Sequence, residues 1–187
     1  MGQDQNQLTV ARIPLPALDA LSAEQRRVYD AIVGLRGGHM PAPYQPALHS
    51  PELADKWQRL GELLRYRTGL PARLSELAVL IVARLHDCQY VWSAHEPVAL
   101  KAGVAADVIK AIRAGVRPHF GQEDERALHD YCKELLETRF VSDAAYAAAL
   151  KHLDVKGVVE LTALLGYYVM VAMSLNAHGQ SQPLGTE

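Results

Sequence analysis

The chain has 187 residues, of which 49% are apolar and 21% charged, a balance that excludes a disordered or fibrous protein and allows one soluble domain or a pair of small helical units. Nineteen Lys plus Arg against 21 Asp plus Glu leave a formal charge of −2, so no basic excess marks it for nucleic acid or an anionic membrane.

Residues 1–15 read as an N-terminal extension and 16–187 as a single domain. The polar start, Met1 to Asn6, carries no secretory signal. Ser22 and Gln25 form a capping box that opens a helix to about Leu35, stopped by Gly37-Gly38. His39 to Ser50, with Pro41, Pro43 and Pro46, reads as an irregular loop able to cover a site. Ser50-Pro51-Glu52 then offers an N-cap, a Pro at the first helical position and an acid in the first turn. Leu53, Trp57, Leu60 and Leu64 share one face of that helix until Gly69. Ser75 to about Leu85 is apolar all round and predicts a buried helix. His86-Asp87 interrupts it, with Asp87 placed to cap a helix from Cys88 to Lys101 that Pro97 should bend or break and Gly103 should end. Further helices follow over Ala105–Ala114, Glu123–Phe140, Ser142 to about Leu153, and Lys156–Ala177. The uncharged run Leu161–Ala177 is shorter than the roughly 20 residues a bilayer needs and reads as a core or interface helix. Seven or eight helices with short connections and no alternating strand predict an all-α fold.

Two cysteines, Cys88 and Cys132, make no CxxC pair and no disulfide framework, which suits a reducing cytosol. No phosphate loop, GxSxG elbow or HExxH helix is present, which leaves cofactor-free or small-molecule chemistry. His86 and Cys88 match no standard zinc spacing, so no metal site is read. The residues suited to chemistry fall between Glu76 and His95. On one continuous helix Cys88, Val91 or Trp92, and His95 share a side. Cys88 and His95 would stand roughly 10 Å apart along the axis, too far for direct activation of the thiol. A carboxylate on one imidazole nitrogen fixes the tautomer and makes the other nitrogen more basic, so Glu76 with His95 suits proton transfer. Arg73 and Arg84, on or beside the Glu76 helix, are the nearest cations in sequence for a carboxylate-bearing substrate. Tyr90 and Trp92 straddle the helix, so at most one of them faces His95. The remaining histidines are scattered and read as surface or loop residues, although His39 and His49 lie in the Pro-rich loop.

Glu76, eleven intervening residues, Cys88, two more, Val91, three more and His95 resemble the Glu...Cys-x-x-Cys-x-x-x-His signature of AhpD and its relatives in the carboxymuconolactone decarboxylase superfamily. YVWSAHEPVALKAGV, from Tyr90 to Val104, is similar to the branch without the dithiol, and GYYVMVAMSLNA, from Gly166 to Ala177, to the closing helix. The resemblance covers about Leu53 to Ala177. It implies an AhpD-like helical bundle, a homotrimer or homohexamer with a pocket near a subunit boundary, and His95 and Glu76 as the catalytic pair. In the peroxidase branch the second Cys attacks peroxide. Val91 stands there, which leaves only Cys88 for any thiol chemistry. The resemblance therefore implies a cofactor-independent, cytoplasmic carboxy-lyase-like enzyme acting on a small carboxylated or lactone-type metabolite, with Cys88, Tyr90, Val91, Trp92, Arg73 and Arg84 as candidate substrate contacts. The alternatives are an alkylhydroperoxidase-like (peroxiredoxin-type) activity at Cys88 and a non-catalytic oligomer, for which Tyr167, Tyr168, Met170 and Met173 offer interface or core surface.

Overall fold

Helix punctuation decides most of the architecture. The computed structural model describes residues 11–182 and Leu184. A single 3-10 turn, Leu18–Ala20, precedes α1 (Ala23–Leu35). Ser22 Oγ accepts from Gln25 N–H while the Gln25 amide oxygen accepts from Ser22 N–H, completing the expected capping box. Gly37 and Gly38, at φ 70° and 89°, then turn the chain away. The Pro-rich stretch is not wholly irregular: it contains a short helix, α2 (Tyr44–Ala47), whose Tyr44, Pro46 and Ala47 are buried.

In α3 (Pro51–Tyr66) Pro51 takes the first helical position, but the Ser50 side chain makes no cap bond. The buried face is Ala54, Trp57, Gln58, Gly61 and Leu64. Leu53 and Leu60, expected beside Trp57, stay 51% and 43% exposed. The helix is rolled toward Gly61, which puts those two leucines on the flank of the stripe.

The central helix, α4 (Ala72–Leu85), starts after Pro71, and Leu77 through Ala83 are buried without interruption. It packs against α5, α7 and α8, so it lacks a solvent face, as its all-round apolar sequence requires. α5 (Gln89–Ala102) departs from expectation at both marked positions. Asp87 does not cap it: Asp87 sits at φ 51° and its carboxylate accepts from Leu184 N–H at 2.7 Å. Cys88 holds the N-cap position without a side-chain bond. The open donors of the first turn are satisfied from the far end of the sequence, where Ser181 Oγ accepts from Tyr90 N–H and the Gln182 carbonyl from Gln89 N–H, each at 3.1 Å. Pro97 does not break the helix either. Pro97 and Ser93, whose carbonyl loses its helical donor, are both exposed, so water can replace the missing bond.

α6 (Ala106–Arg113) gives way to Gly115 at φ 73°, and α7 (Glu123–Thr138) follows. α8 (Asp143–Ala177) opens on Ser142, whose hydroxyl accepts from Ala145 N–H. It contains the two helices expected, because Asp154 (φ 59°, ψ −178°) interrupts it and caps its second half by accepting from Gly157 N–H at 2.9 Å. By length and composition α8 could cross a membrane, yet Val158, Leu161, Leu164, Leu165, Ala172 and Leu175 bury themselves in the common core. The described residues contain no strand, and the fold is the all-α bundle expected. Of the expected N-terminal extension, residues 1–10 lie outside the described residues. Arg12 is tied to the end of α8, its N–H donating to His178 O at 2.8 Å and its Nη1 to Ala177 O at 3.0 Å.

Candidate active site

Glu76, one turn into α4, and His95, midway along α5, meet where the two helices pack. Glu76 Oε2 lies 2.7 Å from His95 Nδ1, and Tyr168 Oη on α8 lies 3.2 Å from His95 Nε2. An ionised carboxylate can only accept, so Nδ1 carries the proton and Nε2 presents its lone pair. Burial pushes the Tyr168 phenol above its ordinary range, so it stays protonated and donates to Nε2. The result is a directed chain in which the Tyr168 O–H donates to His95 and the His95 N–H donates to Glu76. His95 is 6% exposed and has its ring edge-on to Tyr168, with centroids 5.1 Å apart.

His95 and Tyr168 line a cavity of about 370 Å³ that Val91, Ala94 and Tyr90 continue along α5. The Pro-rich segment covers it, as its sequence suggested: His39, Pro41, Pro43 and Tyr44 line the opposite side. His49 does not; its Nε2 lies 3.0 Å from Pro14 O. Two cations, Arg36 and Arg65, line the same cavity, and among the described residues neither has a carboxylate partner. Arg36 donates to Tyr44 Oη and Tyr66 Oη, each at 3.3 Å, and its buried Nε has no acceptor. Burial opposes the charge on Arg65, but the surrounding phenols of Tyr168, Tyr66 and Tyr167, with the Glu76 carboxylate, hold its pKa above the ordinary value.

A second hydrogen bond, Tyr44 Oη to Tyr167 Oη at 3.0 Å, joins the Pro-rich segment to α8 and extends to Arg36. Gly61 makes room for it, since a Cβ there would stand 2.2 Å from Tyr167 Oη and 3.1 Å from Tyr44 Oη. Gly61→Ala is expected to cost about 1–3 kcal/mol through overpacking and to raise KM more than it lowers kcat, because it displaces Tyr167, the hydrogen-bond partner of the Tyr44 phenol that steadies Arg36. Urea denaturation and steady-state kinetics check the two effects.

The other sequence candidates separate cleanly. Tyr90 and Val91 line the cavity. Trp92 is fully buried on the far side of α5, with Arg113 over its ring at 5.4 Å, so of the two straddling aromatics only Tyr90 faces the site. Cys88 is also fully buried and absent from the cavity wall; its thiol meets Ser181 Oγ at 3.5 Å. Arg73 does not line the cavity; Asp124 and Glu125 on α7 each pair with it at 2.6 Å. Arg84 points into a different cavity, between α4, α6 and α7. Both arginines were proposed from nearness in sequence, but successive helical turns aim side chains at different neighbours. His129, expected at the surface, is buried against Asp130. The sequence reading missed Arg36, Arg65, Tyr44 and the hydrogen bond from Tyr168. Only the tyrosine pair in the closing helix left a visible signal, and that read equally as interface or core.

Three solved structures share the fold. A peroxidase-related protein of Silicibacter sp. TM1040 superposes with TM-score 0.73 at 16% identity, covering 97% of this chain and 95% of its own. A cysteine-to-alanine variant of the debrominase Bmp8 in complex with 2,3,4-tribromopyrrole gives 0.70 at 16% identity, covering 96% and 94%. A protein of unknown function from Agrobacterium tumefaciens, a candidate antioxidant defence protein AhpD, gives 0.64 at 18%, covering 74% and 96%. No curated protein matches the sequence. The family model for the carboxymuconolactone decarboxylase family matches residues 51–134, a span that includes both Glu76 and His95. That match, together with the AhpD-like fold, supports placement in the carboxymuconolactone decarboxylase superfamily. Set against the AhpD signature, the chain has the Glu-His pair on α4 and α5 and Val91 where that signature has its second Cys.

Proposed function

We propose that the protein is an acid/base enzyme of the carboxymuconolactone decarboxylase kind, acting on a small carboxylated or lactone-type metabolite. One observation carries the reading: His95 and Tyr168, with Glu76 hydrogen-bonded behind His95, line the same cavity as the two arginines without a salt-bridged carboxylate, Arg36 and Arg65. The arginines suit a carboxylate or the carbonyl of a lactone. A conjugated carboxylate that loses CO₂ leaves its bonding electron pair on the ring as an enolate. A proton taken from solvent onto His95 Nε2, with Glu76 stabilising the imidazolium, then passes to the ring carbon. One C–C bond breaks, one C–H bond forms, one proton is consumed, and no oxidant or reductant is needed. Tyr168 holds Nε2 in line until substrate displaces its hydroxyl.

Peroxide reduction at Cys88 has less support, because the thiol lies behind the cavity wall and Val91 occupies the surface facing substrate. The test is a panel of butenolides, with and without a carboxylate, mixed with wild-type protein and with Arg36→Gln and followed by NMR. Turnover of the carboxylated members with release of CO₂, weakened in the variant, is the expected result. Turnover confined to members without a carboxylate would remove the decarboxylation step, and no turnover of any member, or turnover unchanged in Arg36→Gln, would sink the assignment.

A further inference from the structure

A cavity larger than the one that holds His95 lies elsewhere in the bundle. A space of about 550 Å³ lies between α4, α6 and α7, and no residue lines both cavities. One wall is apolar, formed by Ile81, Leu85, Ile112 and Val116; Arg84, Arg117, Lys133, His129 and Glu137 supply the polar side. The charges on that side are not equivalent. Arg117 is held by both oxygens of Asp130, at 2.6 and 2.9 Å, and Lys133 pairs with Glu137 one turn along α7. Arg84 has no hydrogen bond and no ion pair among the described residues, and its Nε is buried without an acceptor. A buried donor left open on a charged group costs more than an ordinary unmade bond. Gly115, at φ 73°, leaves the guanidinium its place, since a Cβ there would come within 3.2 Å of Arg84 Nη2. His129 donates Nδ1–H to Asp130 at 3.1 Å, and burial lowers its pKa, so the ring adds no competing positive charge.

We propose that this cavity is a second ligand site, taking an organic carboxylate whose charged end is bound by Arg84 and whose apolar body lies on Ile81, Leu85, Ile112 and Val116. The planar fork of Arg84 matches a carboxylate. The apolar residues that line the same cavity favour a carboxylate with a hydrocarbon or aromatic body over a bare inorganic anion.

Benzoate, benzamide and inorganic phosphate are the probes, titrated into ¹⁵N-labelled full-length protein carrying Arg36→Gln and Arg65→Gln to weaken the first cavity. Saturable benzoate shifts at Gly115 and Val116 are expected, with benzamide and phosphate at least about tenfold weaker, the scale of one lost charge-assisted bond. Adding Arg84→Gln should weaken benzoate by about tenfold or more. Val116→Trp, at a position 57% exposed, should block binding by filling the cavity without touching the core, which covers the case in which Arg84→Gln fails to fold. Four results would overturn the site: no saturable shift, phosphate binding as tightly as benzoate, benzoate affinity unchanged by either variant, or an oligomer that Arg84→Gln disperses in sedimentation, which would make the occupant an acidic side chain of a second copy.

Discussion

His95→Ala is expected to lower turnover by about two to four orders of magnitude, the usual contribution of a positioned acid/base group, while the far-UV circular dichroism stays that of a helical bundle. The reason is local. Removing the ring deletes the imidazole nitrogen that Glu76 orients toward the cavity, and Glu76, whose side chain is 16% exposed, can turn to water rather than remain buried without a partner. Glu76→Gln should keep the shape of the chain but lose the charge that steadies an imidazolium, and its loss should fall on kcat. Tyr168→Phe keeps the edge-on packing and removes only a hydroxyl, so it should cost about three- to tenfold, the value of one neutral hydrogen bond. A series in which Tyr168→Phe is as damaging as His95→Ala would move the proton-carrying role from the imidazole to the phenol. Retained turnover in His95→Ala would remove the acid/base reading altogether.

The largest stability loss is expected from Arg73→Ala, about 3–5 kcal/mol. Glu125 is 2% exposed and faces Arg73, and the Arg73 side chain itself is only 17% exposed. Truncating the arginine leaves a carboxylate inside the α4–α7 interface with no cation to offset its lost hydration. The double variant Arg73→Met with Glu125→Leu should recover most of the loss, because removing both charges also removes both desolvation penalties. Urea unfolding with a two-by-two cycle measures the coupling. If Arg73→Ala instead left stability untouched and weakened substrate, the sequence-based assignment of Arg73 to the substrate would stand and the ion pair would be incidental.

Both cases turn on which features of the fold the sequence makes legible. The acid, the imidazole and their spacing were visible because they belong to a short, ordered stretch in which helix geometry fixes relative positions. Whether they touched was not visible, since the turn at His86 and Asp87 sets the angle between α4 and α5, and its shape depends on Leu184, nearly a hundred residues away. The break at Asp154 was legible because a short polar side chain two residues before Lys156 is a local signal. Arg36 and Arg65 were not legible. They come from the ends of α1 and α3, and only tertiary packing brings those ends over α5. Leu53 and Leu60 misled for a related reason: the apolar spacing identified a helix correctly, but the roll of that helix was decided by the space at Gly61. Pro97 misled because the helix-breaking rule takes no account of exposure, and here the Ser93 residue whose carbonyl is freed faces solvent.

The way α5 is finished bears on the order in which the chain can assemble as it leaves the ribosome. The first turn of that helix is closed by Ser181, which is 91 positions downstream of Tyr90, and Tyr168, which completes the His95 chain, is 73 positions downstream of it. During synthesis the segment bearing His95 must therefore wait in the exit vestibule and beyond, with its leading amide groups open and its apolar flank uncovered. Only when Tyr168, Ser181 and Gln182 have emerged can that helix be locked. Chaperone engagement with stalled nascent chains should consequently persist until Ser181 and Gln182 have left the ribosome.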